Sequence, residues 1–130
     1  MPINFVARTR KNPITSDVKY YATISQNGYV DLKQVVKKIE KISTVSSADI
    51  KAVLDSLQSV VIETLQNGQS VRLGDLGSFR PTLSSKGVKT ADSCNANTIK
   101  CMRVRFSQSA TMRKEMAKDN LSFSFSGVAD

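Results

Sequence analysis

The sequence predicts a mixed α+β chain in which two amphipathic helices lead into an antiparallel β-sheet and a short terminal helix. Three observations predict it. Val71–Leu83, V-R-L-G-D-L-G-S-F-R-P-T-L, alternates apolar and polar residues on both sides of Gly74-Asp75-Leu76-Gly77, and period two argues for strands joined by a tight reversal. Before it, apolar residues recur at helical spacing over two successive stretches. After it, Ile99–Phe106, I-K-C-M-R-V-R-F, returns to period two.

Taken in order, Pro2–Arg10 alternates and predicts a strand, broken by Lys11-Asn12-Pro13. Lys19–Ser25 is again β-rich, and Gln26-Asn27-Gly28 turns the chain. These two runs are expected to form a hairpin or add to a sheet. Asp31 followed by Gln34 resembles a capping box, and Leu32, Val35, Val36, Ile39 and Ile42 form one stripe behind it. Ser46 or Ser47 is expected to cap a second helix carrying Ile50, Val53, Leu54, Leu57, Val60, Val61, Ile62 and Leu65, with Gly68 ending it. That stripe is wide, so the helix is either wrapped by other elements or partly faces a second subunit.

Ser84–Asn97 is polar and reads as a mobile loop or protruding arm. In the strand that follows, Lys100, Met102, Val104 and Phe106 share one face and Cys101, Arg103 and Arg105 the other. Ser107–Asn120 predicts a short helix capped by Ser107 or Ser109. Leu121, Phe123 and Phe125 predict a last strand, with the N-terminal hairpin as one candidate partner. The expected boundaries are therefore 1–28 for an N-terminal β extension, 29–120 for the main domain, and 121–130 for a C-terminal strand and tail.

The chain of 130 residues has 40% hydrophobic content, enough for a modest core. No apolar run is long enough to cross a bilayer, and the N-terminus lacks the pattern of a secretory signal. A cytoplasmic address is expected, with Cys94 and Cys101 as free thiols. There is no histidine, which removes the usual general base, metal ligand and triad member. Carboxylates are scattered, so neither enzyme, metal nor cofactor is expected.

The net charge is +8, and its placement is informative. Residues 71–118 hold ten basic residues against three acidic ones, a surplus of seven. If the 99–106 strand pairs with 79–83, Arg80, Arg103 and Arg105 share a solvent face. Like charges across a sheet are mildly destabilising, and guanidinium groups suit phosphate geometry. The face is read as an anion site, with an arginine-rich solvated surface as the bland alternative. Lys86, Lys89 and Lys100 would extend it along the arm. Free N–H groups at the last helix, around Ser107 and Ser109, would add to it, and Arg113 and Lys114 lie on that helix.

This order of parts resembles the bacterial histone-like proteins of the HU/IHF type. The likeness runs from about Tyr29 to Asn120 and centres on Gly68–Phe79, G-Q-S-V-R-L-G-D-L-G-S-F, with Val104-Arg105-Phe106 before the last helix. It implies a two-helix hairpin, a three-stranded antiparallel sheet with a protruding β-arm, and a short C-terminal helix. It also implies an intertwined homodimer whose core includes Phe79 and Phe106, with Leu76 where a phenylalanine is usual; Leu57 and Val61 of the second helix are assigned to the same core. The implied partner is double-stranded DNA in the nucleoid, bound with little sequence preference through a β-saddle and arms. The family's arm ends in Arg-Asn-Pro, whose proline wedges between base pairs. Ser84–Asn97 has neither arginine nor proline, so charge contacts without the wedge are expected. Two other readings stay open: an interaction module with weak or lost DNA binding, and single-strand or RNA binding.

Overall fold

Asp31 and Gln34 start the first helix as a reciprocal pair. The Gln34 N–H donates to the Asp31 carboxylate at 3.0 Å, and the Asp31 N–H donates to the Gln34 side-chain carbonyl at 3.1 Å. Two end N–H groups are thereby satisfied. A computed structural model describes residues 2–129, and in it this pair opens α1 (Leu32–Ile42). Ser46 caps α2 (Ser47–Gln66), accepting from the Asp49 N–H at 3.3 Å. Gly68, at φ +78°, lets the chain leave α2 in the left-handed conformation that glycine adopts without steric cost.

The strands are β1 (Ile3–Lys11), β2 (Val18–Ile24), β3 (Val71–Arg72), β4 (Gly77–Ser85), β5 (Ile99–Gln108) and β6 (Phe123–Val128). They form two three-stranded sheets, ordered β2-β1-β6 and β3-β4-β5. A short helix, α3 (Ala110–Glu115), follows β5. The chain divides into two compact units: one runs through Val35 and resumes at Glu115, and the other is Val36–Lys114. No helix among the described residues is long and apolar enough to cross a membrane.

In the first unit, β1 and β2 pair antiparallel from Phe5↔Ile24 to Lys11↔Val18. The turn between them is held by the Asn12 N–H to the Asp17 carbonyl at 2.9 Å and the Ile14 N–H to the Asn12 side chain at 2.9 Å. β6 lies parallel to β1, Ile3↔Phe123 and Phe5↔Phe125, so both ends of the chain share this sheet. The rings of Phe5 and Phe125 sit 5.5 Å apart.

The second unit holds α2 and the fully antiparallel sheet β3-β4-β5. Leu73 to Leu76 close the turn that the glycine spacing predicts: the Leu76 N–H reaches the Leu73 carbonyl at 3.1 Å. Gly74 has φ +57° and Gly77 φ +148°. Gly77 is required for a second reason. A Cβ there would stand 2.5 Å from the Ser107 carbonyl oxygen and 2.6 Å from Cζ of Phe106.

Two expectations are corrected. The terminal helix spans six residues rather than Ser107–Asn120, because β5 continues through Gln108 and Ser107 pairs with Ser78. Lys100 is not a regular member of the Met102 face: the β4–β5 register shifts there, passing from Ser84↔Cys101 to Ser85↔Ile99. The polar stretch read as a mobile loop or protruding arm has a hydrogen-bonded tip. It contains 3₁₀ turns at Ala91–Ser93 and Ala96–Thr98, and Thr98 is buried, donating to the Asn95 carbonyl at 2.7 Å.

The hydrophobic core is very small. Val36 and Ile50 are the buried apolar side chains among the described residues.

Candidate nucleic-acid interface

Antiparallel pairing decides which arginines meet. Arg80 lies opposite Arg105, and Thr82 opposite Arg103. Directly opposed residues project to the same side of a sheet with Cβ atoms ~5 Å apart. Arg80, Arg103 and Arg105 therefore share one face, and with Thr82, Leu83 and Ser84 they line an open depression of about 430 Å³. The Thr82 hydroxyl donates across the strands to the Arg103 carbonyl at 3.5 Å.

Arg72 joins this face, because it lies opposite Ser78, which is two residues from Arg80. Sequence reasoning counted Arg72 as charge without placing it. Its alternation with Val71 and Leu73 was the available signal. Among the described residues, no carboxylate forms an ion pair with these four arginines. Two guanidinium groups roughly 6 Å apart repel by about 0.7 kcal/mol in water. The cost is small but repeated, and a bound anion removes it.

The other face is apolar. Val71, Phe79 and Phe106 align across the three strands, followed by Pro81↔Val104 and Leu83↔Met102. The Phe79 and Phe106 rings are 5.1 Å apart at 52°, a tilted contact favoured by aromatic quadrupoles. Ile62 and Leu65 of α2 line a groove of about 480 Å³ with Pro81, Met102 and Val104. Val61 and Phe79 are half-buried, while Leu57, Leu76 and Phe106 are exposed.

The remaining predicted site residues are distributed differently. Lys86 is fixed at the arm's base, where its N–H donates to the Thr98 carbonyl at 2.8 Å. Lys89 lies in the arm tip, Lys100 at the register shift, and Arg113 and Lys114 in the last turn of α3. None of these five lines the arginine depression. Ser107 is a strand residue rather than a helix cap. Ser109 does cap α3, accepting from the Met112 N–H at 3.0 Å, and its hydroxyl also donates to the Asp75 carbonyl. Thr111 donates to the Asp75 carboxylate at 3.2 Å. The glycine turn thus holds α3 in place through Asp75, and the helix start is occupied by the protein itself.

The family model described as "HU domain fused to wHTH, Ig, or Glycine-rich motif" matches residues 1–123. The chain belongs to this HU-HIG family. It is an HU-type histone-like protein. Among solved structures, this HU-HIG chain is similar to a Bacteroides vulgatus protein provisionally named as bacterial DNA-binding. That similarity has a TM-score of 0.68 at 16% identity and covers 98% of this chain, which spans half the length of that protein. It is also similar to HU from Anabaena crystallised with DNA, with TM-score 0.54 and 19% identity over 68% of this chain and 99% of that one. A point mutant of Thermotoga maritima HU gives TM-score 0.50 and 15% identity, covering 68% of this chain and all of that one. No curated protein sequence matches the chain. Likeness at these identities concerns the fold.

Proposed function

We propose that this HU-HIG protein is a nucleoid-associated, architectural protein that binds double-stranded DNA with little sequence preference, as a homodimer. The observation that carries the reading is the Arg72, Arg80, Arg103 and Arg105 face, which has no carboxylate partner among the described residues. An antiparallel face of arginines offers bidentate donors to phosphates and no shape for reading base edges. HU from Anabaena, whose fold this chain shares, was crystallised with DNA.

The dimer is supported by what the single chain leaves uncovered. Val36 and Ile50 are the buried apolar side chains among the described residues, and Phe106 is 46% exposed. Phe79 and Phe106 belong to the apolar face, and Leu57, Val61, Leu76, Phe79 and Phe106 are the residues a second copy would cover. Lys86, Lys89, Lys100, Arg113 and Lys114 would then contribute peripheral phosphate contacts; Ser109 is committed to Asp75.

The folded arm tip favours a second reading. It lacks arginine and proline and closes on itself through Asn95 and Thr98, which fits an HU-fold interaction module with weakened DNA affinity. A gel-shift with random-sequence duplex at several salt concentrations, run beside a solution mass measurement, separates the two. The architectural reading predicts a dimer and a fall in log affinity of about 0.9 per phosphate contact per log unit of salt. A flat salt response would favour the interaction module.

A further inference from the structure

The N-terminal sheet carries a second cluster of cations that the HU-type face does not use. Register places Arg8 opposite Tyr21 and Arg10 opposite Lys19. Arg8 and Arg10 are two residues apart on β1, as are Lys19 and Tyr21 on β2, so all four project to one side. All four are exposed, and the Arg10 guanidinium carbon sits 5.9 Å from the centre of the Tyr21 ring. Lys11 pairs with Val18 and belongs to the opposite, apolar side with Phe5 and Ile24.

β1, β2 and β6 contain neither aspartate nor glutamate. No carboxylate among the described residues forms an ion pair with Arg8, Arg10 or Lys19. Arg10 and Lys19 are like charges in directly opposed positions, an arrangement that destabilises a sheet unless an anion neutralises it. Cations beside an exposed, guanidinium-flanked tyrosine match the chemistry of a nucleic-acid strand, whose phosphates take the charges while a base can stack on the ring.

We infer that the Arg8–Arg10–Lys19–Tyr21 face is a second nucleic-acid contact surface that binds the phosphodiester backbone separately from the arginines of β3-β4-β5. It stands on the first unit alone and does not depend on the reading of the second.

The test uses the full chain with a random 40-mer, as duplex and as single strand, titrated over salt. The variant Arg8→Gln/Arg10→Gln/Lys19→Gln is compared with its parent in the wild-type background and in an Arg80→Ala/Arg103→Ala/Arg105→Ala background. The expected result is a log–log salt slope on duplex lower by roughly 2–3 in the wild-type background, with Kd raised at least tenfold at low salt. The charge-conserving Arg8→Lys/Arg10→Lys variant should keep the slope, which separates lost charge from lost folding. Tyr21→Ala should weaken single-strand binding by roughly 5- to 100-fold and duplex binding less, identifying the form the surface prefers. An unchanged slope and Kd in both backgrounds overturns the inference. So does a loss confined to anionic phosphatidylserine vesicles, which would make the face a membrane contact. A loss in the first-unit variant with none from the second-unit arginines would refute only the HU-type saddle.

Discussion

The two sheets of this protein follow one plan and differ in how each is tied to its surroundings. Each gathers its arginines on one face and its phenylalanines on the other. In β3-β4-β5 the apolar face lies against Ile62 and Leu65 of α2, and the turn leading into it is locked by Gly77 and Asp75. In β2-β1-β6 the glycine near the end of β6, Gly127, has φ +113° but nothing within 4 Å of where a Cβ would be. A side chain at Gly77 therefore meets backbone and ring atoms, while one at Gly127, within β6, meets open space. A surface meant to hold a rigid, repeating polyanion benefits from being fixed in advance, because ordering done during folding is not repeated on binding.

The largest expected effect comes from Gly77→Ala. Its Cβ would overlap backbone oxygen and the Phe106 ring, and the backbone must stay in a left-handed region, so a loss of about 3 kcal/mol or more is expected. Gly127→Ala meets only the conformational penalty, about 1 kcal/mol. Urea unfolding of the two variants side by side sharpens the contrast; equal losses would break it.

Next comes Phe106→Ala. The ring meets Phe79 in a tilted contact yet is 46% exposed in the single chain. With the ring part exposed, a loss of about 2 kcal/mol is expected, and cover by a second copy makes the loss grow on dilution. Phe125→Ala, which removes the counterpart contact to Phe5, is expected to show no such concentration dependence. Thermal unfolding over a hundredfold dilution range reads both.

A smaller effect is expected from Arg72→Ala, which removes one cation from the edge of the arginine face. The salt slope for duplex binding should drop by about 0.9 with no change in unfolding midpoint. A shifted midpoint with an unaltered slope would make Arg72 a structural residue.

Much of this was readable in the sequence, for a physical reason: the legible features are local. The Asp31–Gln34 pair, the Ser46 cap and the glycine turn each depend on residues within a few positions of one another. The arginine face was legible because strict alternation fixes which residues share a face once the strands are granted. What escaped depended on distant partners. Ser107 stays in β5 because Ser78 pairs with it, which shortens the helix that the serines announced. Asp75 looked like a turn residue and proved to anchor α3, thirty-odd positions away in sequence. The arm's polar composition concealed hydrogen bonding among Asn95, Thr98 and Ser85. The common facing of Arg8, Arg10 and Lys19 depends on the β1–β2 register, which joins residues from two strands.

The most direct test of the central claim is the salt dependence of random-duplex affinity for the wild-type chain and for Arg80→Ala/Arg103→Ala/Arg105→Ala. If these side chains seat DNA, the slope falls by roughly 2.7 while the folded state and its oligomeric mass are retained. Identical slopes and affinities for the two proteins would contradict it.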